Sequence, residues 1–294
     1  MNIKSLKLKF INGLQNIYDS EEIESFFFIL TEYLHQLKRI DVALNPEFEL
    51  SEADVEKWSN AIKLLQNEKP IQYITGTSWF YGLQLQVNKH TLIPRPETEE
   101  LVAWILQSEP KCHSQKLRIL DIGTGSGCIA IGLAKNLPKA QVYALDNSEK
   151  ALEVAKSNAF FNDVTIEFIK MNILEVEDLS FDFLENQKTA SFDIIVSNPP
   201  YVRLLEKNEI KKNVLDYEPH QALFVDDEDA LLFYRKIGQL ALKNIAKNGL
   251  LFFEINQYLG NETVDLLKNI GYKNIELKKD IYGNDRMIKC EIEK

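Results

Sequence analysis

The sequence predicts an α/β protein, a doubly wound and mostly parallel sheet of seven strands, with a small N-terminal helical bundle and a β-hairpin linker. Three observations predict it. Past Lys116, short apolar runs alternate with helix-period segments, the pattern of a sheet with helices on both faces. Before that point, apolar residues fall in helical stripes behind capping residues. A glycine-rich turn, Gly123 to Gly127, joins the first strand of the alternating part to its helix. The 294 residues suit two modest domains. Their bounds are drawn at 1–76 for the bundle, 77–93 for the hairpin linker and 94–294 for the sheet domain.

Taken in order, residues 1 to about 88 read as largely helical up to the hairpin. Asp19 or Ser20 caps a helix carrying Ile23, Phe26, Phe27, Leu30, Leu34 and Leu37 at helical spacing. Ser51 to Asp54 resembles a capping box and opens a second helix, with Val55, Trp58, Ile62 and Leu65 on one face, that stops before Pro70. Such stripes are the buried side of a bundle rather than a cofactor box. Thr77 to Asn88 alternates around Gly82 as a hairpin. Pro94 and Pro96 then stiffen a connector, and a helix through Leu101, Val102 and Ile105 starts at Glu97 or Thr98. Arg95, between those prolines, reads as a solvated charge.

In the second part, strands are expected at 117–122, 141–145, 165–171, 192–196, 250–255, 275–278 and 287–292. Helices are expected at 126–136, 148–162, 230–248 and 262–270. The last two strands flank the turn Tyr282-Gly283-Asn284-Asp285 and close the sheet as a hairpin.

A net charge of −10 argues against a protein built mainly to hold DNA or RNA, for which a basic face supplies most of the affinity. Cys112, Cys128 and Cys290 are far apart and form no C-x-x-C, which fits a reducing cytosol without a disulfide framework or zinc site. The four histidines lack metal-ligand spacing, so no metal is expected. The first twenty residues alternate lysine with apolar residues and have no secretory character, and no apolar run reaches the length of a membrane span. A soluble, cytoplasmic protein is the expectation.

The chemistry gathers at strand ends. Ser197-Asn198-Pro199-Pro200-Tyr201 ends an apolar run; the prolines cannot continue a ladder and hold Asn198 extended at the strand tip. Asn198 Oδ1 and the Pro199 carbonyl are acceptors, and Tyr201 adds an aromatic face, a corner suited to a flat group carrying N–H donors. Alone, the same residues describe a proline-terminated strand and a turn. Asp121-x-Gly123-Thr124-Gly125-Ser126-Gly127 lets the backbone approach a ligand at a helix N-terminus. The place where a dinucleotide fingerprint has Gly or Ala holds Cys128, which points away from a pyrophosphate and toward S-adenosylmethionine, with Asp121 near its cationic methionine end. Asp146 ends the second strand, either as a ribose-binding carboxylate or as a cap for the following helix. Asn172-Ile173 ends the third strand and flanks an adenine, or is a plain turn.

In order along the chain, Pro70 to Gly76, Leu92 to Thr98, Gly123 to Gly127, Asn198-Pro199-Pro200-Tyr201, Tyr217-Glu218-Pro219 and Tyr282 to Arg286 resemble the HemK/PrmC family, methyltransferases of the glutamine side-chain amide of peptide-chain release factors. The resemblance implies a Rossmann-like S-adenosylmethionine-dependent methyltransferase fold, with residues 1–76 as a substrate-recognition domain. It implies S-adenosylmethionine on Gly123 to Gly127, its ribose on Asp146, its adenine at Asn172-Ile173, and Asn198 between cofactor and substrate. Pro199, Pro200 and Tyr201 complete the implied glutamine site, with Asn198 and Pro199 as the catalytic pair. The implied partner is a class I release factor carrying a Gly-Gly-Gln loop, bound by a monomer with no direct nucleic-acid or membrane role.

Two departures stand out: the third strand tip has Asn172 where an acidic residue is usual, and Asn256 replaces a usual glycine, a place where Asn tolerates positive φ. The rivals are a DNA amino-methyltransferase, which needs a basic groove for a flipped base, and a non-catalytic S-adenosylmethionine-binding protein. A nicotinamide-dependent dehydrogenase fits least, given Cys128.

Overall fold

The computed structural model describes residues 1–108, 117–179 and 191–292; Cys112 and the start of the strand-bounding segment before Leu117 lie outside them. The chain separates into two compact units, one of Met1–Thr77 with Lys211–Tyr217, the other of Ser78–Ile210 with Glu218–Lys294.

The first unit holds α1 (Ile3–Leu14), α2 (Ser20–His35), α3 (Arg39–Leu44), α4 (Glu52–Gln66) and α5 (Ile71–Thr75). Asp19 caps α2 by accepting from the Glu22 N–H, and Gln36 ends it in the left-handed region at φ 58°. Ser51 and Asp54 exchange the reciprocal bonds of a capping box at the start of α4. The lysine-apolar alternation at the N-terminus resolves as α1, whose Ile3, Leu6, Phe10 and Leu14 turn inward at helical spacing. Phe10, Phe27 and Trp58 interlock at the centre, with ring centroids 5.6 Å apart for Phe10–Trp58 and 5.2 Å for Phe27–Trp58. Each such buried side chain contributes roughly 1.5–3 kcal/mol. The Tyr217 hydroxyl donates to the Asn67 carbonyl at 2.9 Å, which ties the returning segment to this unit.

The second part of the chain opens with a hairpin, β1 (Thr77–Phe80) and β2 (Leu83–Gln86). Its two-residue turn puts Tyr81 at φ 50° and Gly82 at φ 75°, the left-handed pair that a tight hairpin requires. There follow α6 (Pro96–Gln107), β3 (Arg118–Ile122), α7 (Cys128–Asn136), β4 (Gln141–Asp146), α8 (Glu149–Phe161), β5 (Ile166–Lys170), β6 (Phe192–Ser197), β7 (Val202–Arg203), α9 (Lys212–Tyr217) and β8 (Phe224–Val225). The chain continues with α10 (Leu232–Asn244), β9 (Ile245–Glu254), α11 (Gly260–Ile270), β10 (Lys273–Lys279) and β11 (Asp285–Glu291).

Seven of these strands form one sheet in the order β10-β11-β9-β6-β3-β4-β5, parallel except where β11 runs against both its neighbours. Alternate residues serve opposite faces. Leu120, Ile122, Tyr143, Leu145, Ile195, Leu251 and Phe253 pack under α10 and α11, whereas Ile119, Val142, Ala144, Ile194, Val196 and Phe252 pack under α6 and α7. The doubly wound, seven-stranded architecture expected from the sequence is therefore present.

Two local expectations are corrected. The helix expected from Ser126 starts at Cys128, because Gly127 sits at φ 84°, outside helical space. The helix expected to run from Ala230 to Asn248 spans Leu232 to Asn244, and Ile245 already pairs with Phe192. The residues after it bulge from the ladder, with Asn248 at φ 61°. Among the described residues no helix is long and apolar enough to cross a membrane.

Candidate active site

The order of the sheet sets where a ligand can sit. From β3 the chain moves outward through β4 to β5, then returns to place β6 on the other side of β3. The loops leaving β3 and β6 thus diverge at a topological switch point and leave a crevice at the carboxyl ends of the strands. Ile122 pairs with Ser197 at this edge, and the Ser197 hydroxyl donates to the Ile122 carbonyl at 2.7 Å.

The loop after β3 is built from backbone. Gly123, Gly125 and Gly127 all have positive φ, 76°, 55° and 84°. The N–H groups of Gly123 and Thr124 donate to the Leu145 carbonyl at 2.8 and 3.0 Å, which pins the loop to β4. A side chain at Gly127 would press on Ile131 and Ala155, so only glycine lets α7 lie this close to α8. Asn158, fully buried on α8, donates to the Ser126 carbonyl at 2.9 Å. Asp146 accepts from the Gly125 N–H and the Ser148 N–H, both at 2.8 Å. Burial raises its carboxyl pKa. It is thus at once a loop anchor and a helix-start acceptor, with Ser148 itself capping α8 through the Ala151 N–H.

The corner after β6 is built from side chains. Asn198 Nδ2 donates to Thr98 Oγ1 at 3.3 Å, and Thr98 Oγ1 donates to Glu254 Oε2 at 2.6 Å. The Tyr201 hydroxyl donates to Glu254 Oε1 at 3.0 Å. Glu254 is only 1% exposed. Burial raises its pKa, against the lowering effect of Thr98, Tyr201 and the Arg286 charge. Arg286 is itself held by Asp280 through Nε at 3.1 Å. The two halves of the crevice touch: a Cβ added to Gly123 would lie 3.9 Å from the Asn198 carbonyl oxygen.

A cavity of about 310 Å³ joins the two halves. Of the residues singled out in the sequence, Gly123, Thr124, Gly125, Ser126, Asp146, Asn172, Ile173, Asn198, Pro199 and Pro200 line it. Leu145, Met171 and Leu174 add an apolar stretch beside Asn172 and Ile173. Asp121, Gly127 and Tyr201 are not on its wall. Asp121 lies fully buried at the end of β3, where its Oδ2 accepts from Thr124 Oγ1 at 2.6 Å and burial pushes its carboxyl up to about 7. Tyr201 turns its hydroxyl to Glu254 instead of into the cavity.

Other expectations change with the contacts. Arg95 is no solvated charge; it pairs with the buried Glu218, which also accepts from the Ile93 N–H at 3.1 Å. Asn256 does not take positive φ. Its Nδ2 donates to the Tyr201 carbonyl and to Glu206, and its Oδ1 accepts from the Tyr258 N–H, so its amide replaces glycine's freedom with specific bonds. Asn172 donates to Glu175 at 2.7 Å and accepts from the Leu174 N–H. Burial raises the Cys128 thiol to about 12, which makes it an inert wall rather than a nucleophile. Among the described residues no group of three or more His, Cys, Asp or Glu is placed to hold a metal ion. Nothing local in the sequence marks Thr98, Glu254 and Glu218 as site residues, because these bonds reach across 100, 156 and 125 residues of chain.

Comparison with known proteins fits this geometry. Residues 11–76 match the family model of the PrmC N-terminal domain, and residues 100–222 match that of the methyltransferase small domain. The chain is 59% identical to the release factor glutamine methyltransferase of Flavobacterium psychrophilum, over 98% of this chain and 99% of that one. It is 41% identical to the enzyme of the same name from Bacteroides thetaiotaomicron, over 94% and 95%. The solved structure of a methyltransferase from Pyrococcus furiosus shares the fold, with a TM-score of 0.51 at 18% identity over 80% of this chain and 100% of that one. With such identity sustained along almost its whole length, the chain belongs to the release factor glutamine methyltransferase family.

Proposed function

We propose that the protein transfers a methyl group from S-adenosylmethionine to the side-chain amide nitrogen of the glutamine in the Gly-Gly-Gln loop of class I peptide-chain release factors. The observation that carries this reading is the meeting, at one switch point, of a glycine-built loop and the Asn198-Pro199-Pro200 corner. Family membership supports a protein-glutamine methyltransferase, and the cavity chemistry supports the choice of donor.

The residues present fit such a donor. Gly123, Thr124, Gly125 and Ser126 offer close backbone approach, the Asp146 carboxylate retains acceptor capacity for ribose hydroxyls, and Ile173 with Leu145 and Met171 supplies an apolar bed for adenine. Asp121 supports the loop through the Thr124 hydroxyl and lies off the cavity wall. When bound, S-adenosylmethionine supplies an electrophilic methyl group.

The remaining work falls to the chain. An amide nitrogen is a weak nucleophile because its lone pair is delocalised into the carbonyl. Asn198 Oδ1 and the Pro199 carbonyl accept hydrogen bonds from its two N–H groups, raise the electron density on nitrogen and fix its direction. Holding both reactants in one geometry supplies roughly 7–11 kcal/mol of the barrier reduction. Acceptors already in place stabilise the positive charge that develops on nitrogen as the new bond forms. Pro200 stiffens the corner, and Tyr201 braces it through Glu254. Recognition of the release factor is assigned to the helical unit, in keeping with its match to the PrmC N-terminal domain.

The test is a mass measurement on a class I release factor incubated with the protein and S-adenosylmethionine, with duplex DNA as a parallel substrate. One added methyl group on the glutamine after two glycines is expected. Methylation of the DNA alone contradicts the proposal.

A further inference from the structure

We infer that Thr98 and Glu254 are positioning residues, forming a relay that fixes which edge of the Asn198 carboxamide faces the cavity. The inference rests on Asn198 being the residue that holds the substrate amide.

The argument is one of proton counting. The Glu254 carboxylate is buried, and each of its oxygens takes a hydrogen bond, Oε2 from Thr98 and Oε1 from Tyr201. Burial raises the Glu254 pKa, and the two incoming hydroxyl bonds, with the Arg286 guanidinium anchored by Asp280, work against that rise and keep the group an acceptor toward Thr98. A threonine hydroxyl has one proton, and here it is committed to Glu254 at 2.6 Å. Toward Asn198, Thr98 Oγ1 can therefore only accept. Only the Nδ2 edge of the carboxamide satisfies that demand, and Nδ2 lies 3.3 Å away. The oxygen edge is left to meet whatever enters the cavity that Asn198 lines.

The two edges of a carboxamide have nearly the same shape, so packing alone discriminates poorly between them. A directed chain that ends in a carboxylate does discriminate. The consequence is chemical selectivity: the corner presents an acceptor and takes a group with N–H donors. A substrate carboxylate, which only accepts, meets an oxygen and is refused. The relay thus separates glutamine from glutamate at the reacting position. Its parts come from the N-terminal turn of α6 and the carboxyl end of β9, elements that flank the corner.

Thr98→Val keeps the shape of the side chain and removes only its hydroxyl. It is expected to lower kcat roughly 10- to 100-fold, the scale of a misaligned reactant, while cofactor affinity stays within about threefold. Thr98→Ser, which restores the hydroxyl, is expected to recover most of the loss. Equal damage from Val and Ser, or a folded Thr98→Val with unchanged kcat, overturns the relay. Should Thr98→Val not fold, Glu254→Gln replaces the acceptor-only group at constant size, and unchanged kcat in that variant overturns the relay equally. Asn198→Ala, measured alongside, separates the two claims. If Asn198→Ala is inactive while Thr98→Val turns over normally, the relay alone is wrong; if Asn198→Ala itself turns over normally, the role of Asn198 falls and the relay with it.

Discussion

The two halves of the cavity are built on different principles. On the β3 side the wall is main chain: three glycines at positive φ, pinned by bonds to the Leu145 carbonyl and the Asp146 carboxylate. On the β6 side the wall is a side chain whose orientation depends on Thr98, Glu254, Tyr201 and Arg286, drawn from four separate parts of the chain. A backbone cradle tolerates variation in the side chains around it and suits a ligand that is the same in every turnover. A side-chain corner is sensitive to single atoms and suits the step where one nitrogen must be aimed. The glycine half should therefore govern affinity for the methyl donor, and the asparagine half should govern turnover.

The largest effect is expected at Asn198. Asn198→Ala removes the acceptor proposed to polarise the substrate amide, and turnover should fall by roughly 1,000-fold or more, the upper range for loss of a preorganised hydrogen-bonding group. Donor affinity, read by titration with S-adenosylhomocysteine, should stay within a few-fold. A comparable loss of affinity and turnover would erase the proposed division between the halves.

A smaller and opposite effect is expected at Gly127. Its φ of 84° disfavours any side chain, and an added Cβ would sit 2.9 Å from Ile131 Cδ1 and 3.2 Å from Ala155 Cβ. Gly127→Ala should cost about 1–3 kcal/mol of stability and weaken donor binding roughly 10-fold. Once saturated with donor, the folded variant should keep kcat within a few-fold. A variant that binds the donor normally and fails only in turnover would reverse the comparison.

The same contrast explains what the sequence discloses. The glycine loop and the Asn-Pro-Pro terminus are legible because each imposes a local backbone requirement, positive φ in one and an extended, ladder-ending segment in the other. The strand and helix pattern is legible for the same reason, since buried faces repeat every two or every three to four residues. Contacts at long separation are not. Thr98 and Glu254 stand 156 residues apart, Ile93 and Glu218 stand 125 apart, and nothing local marks either pair as partners. Arg95 illustrates the point: between two prolines it reads as a solvent-facing charge, and only the folded chain brings Glu218 to it. Asn256 shows the converse, since its substitution for glycine is visible in the sequence, but its bonds to Tyr201 and Glu206 are made by tertiary structure. Asp121 reads in the sequence as a neighbour of the donor's cationic end, whereas in the fold its carboxylate accepts from the Thr124 hydroxyl and does not line the cavity.

The central claim is tested most directly by a structure of the protein with S-adenosylhomocysteine and a Gly-Gly-Gln peptide. The account predicts the glutamine amide nitrogen at hydrogen-bond distance from both Asn198 Oδ1 and the Pro199 carbonyl, with Asn198 Nδ2 still on Thr98. A carboxamide rotated away from the peptide, with the glutamine held by other groups, would contradict it.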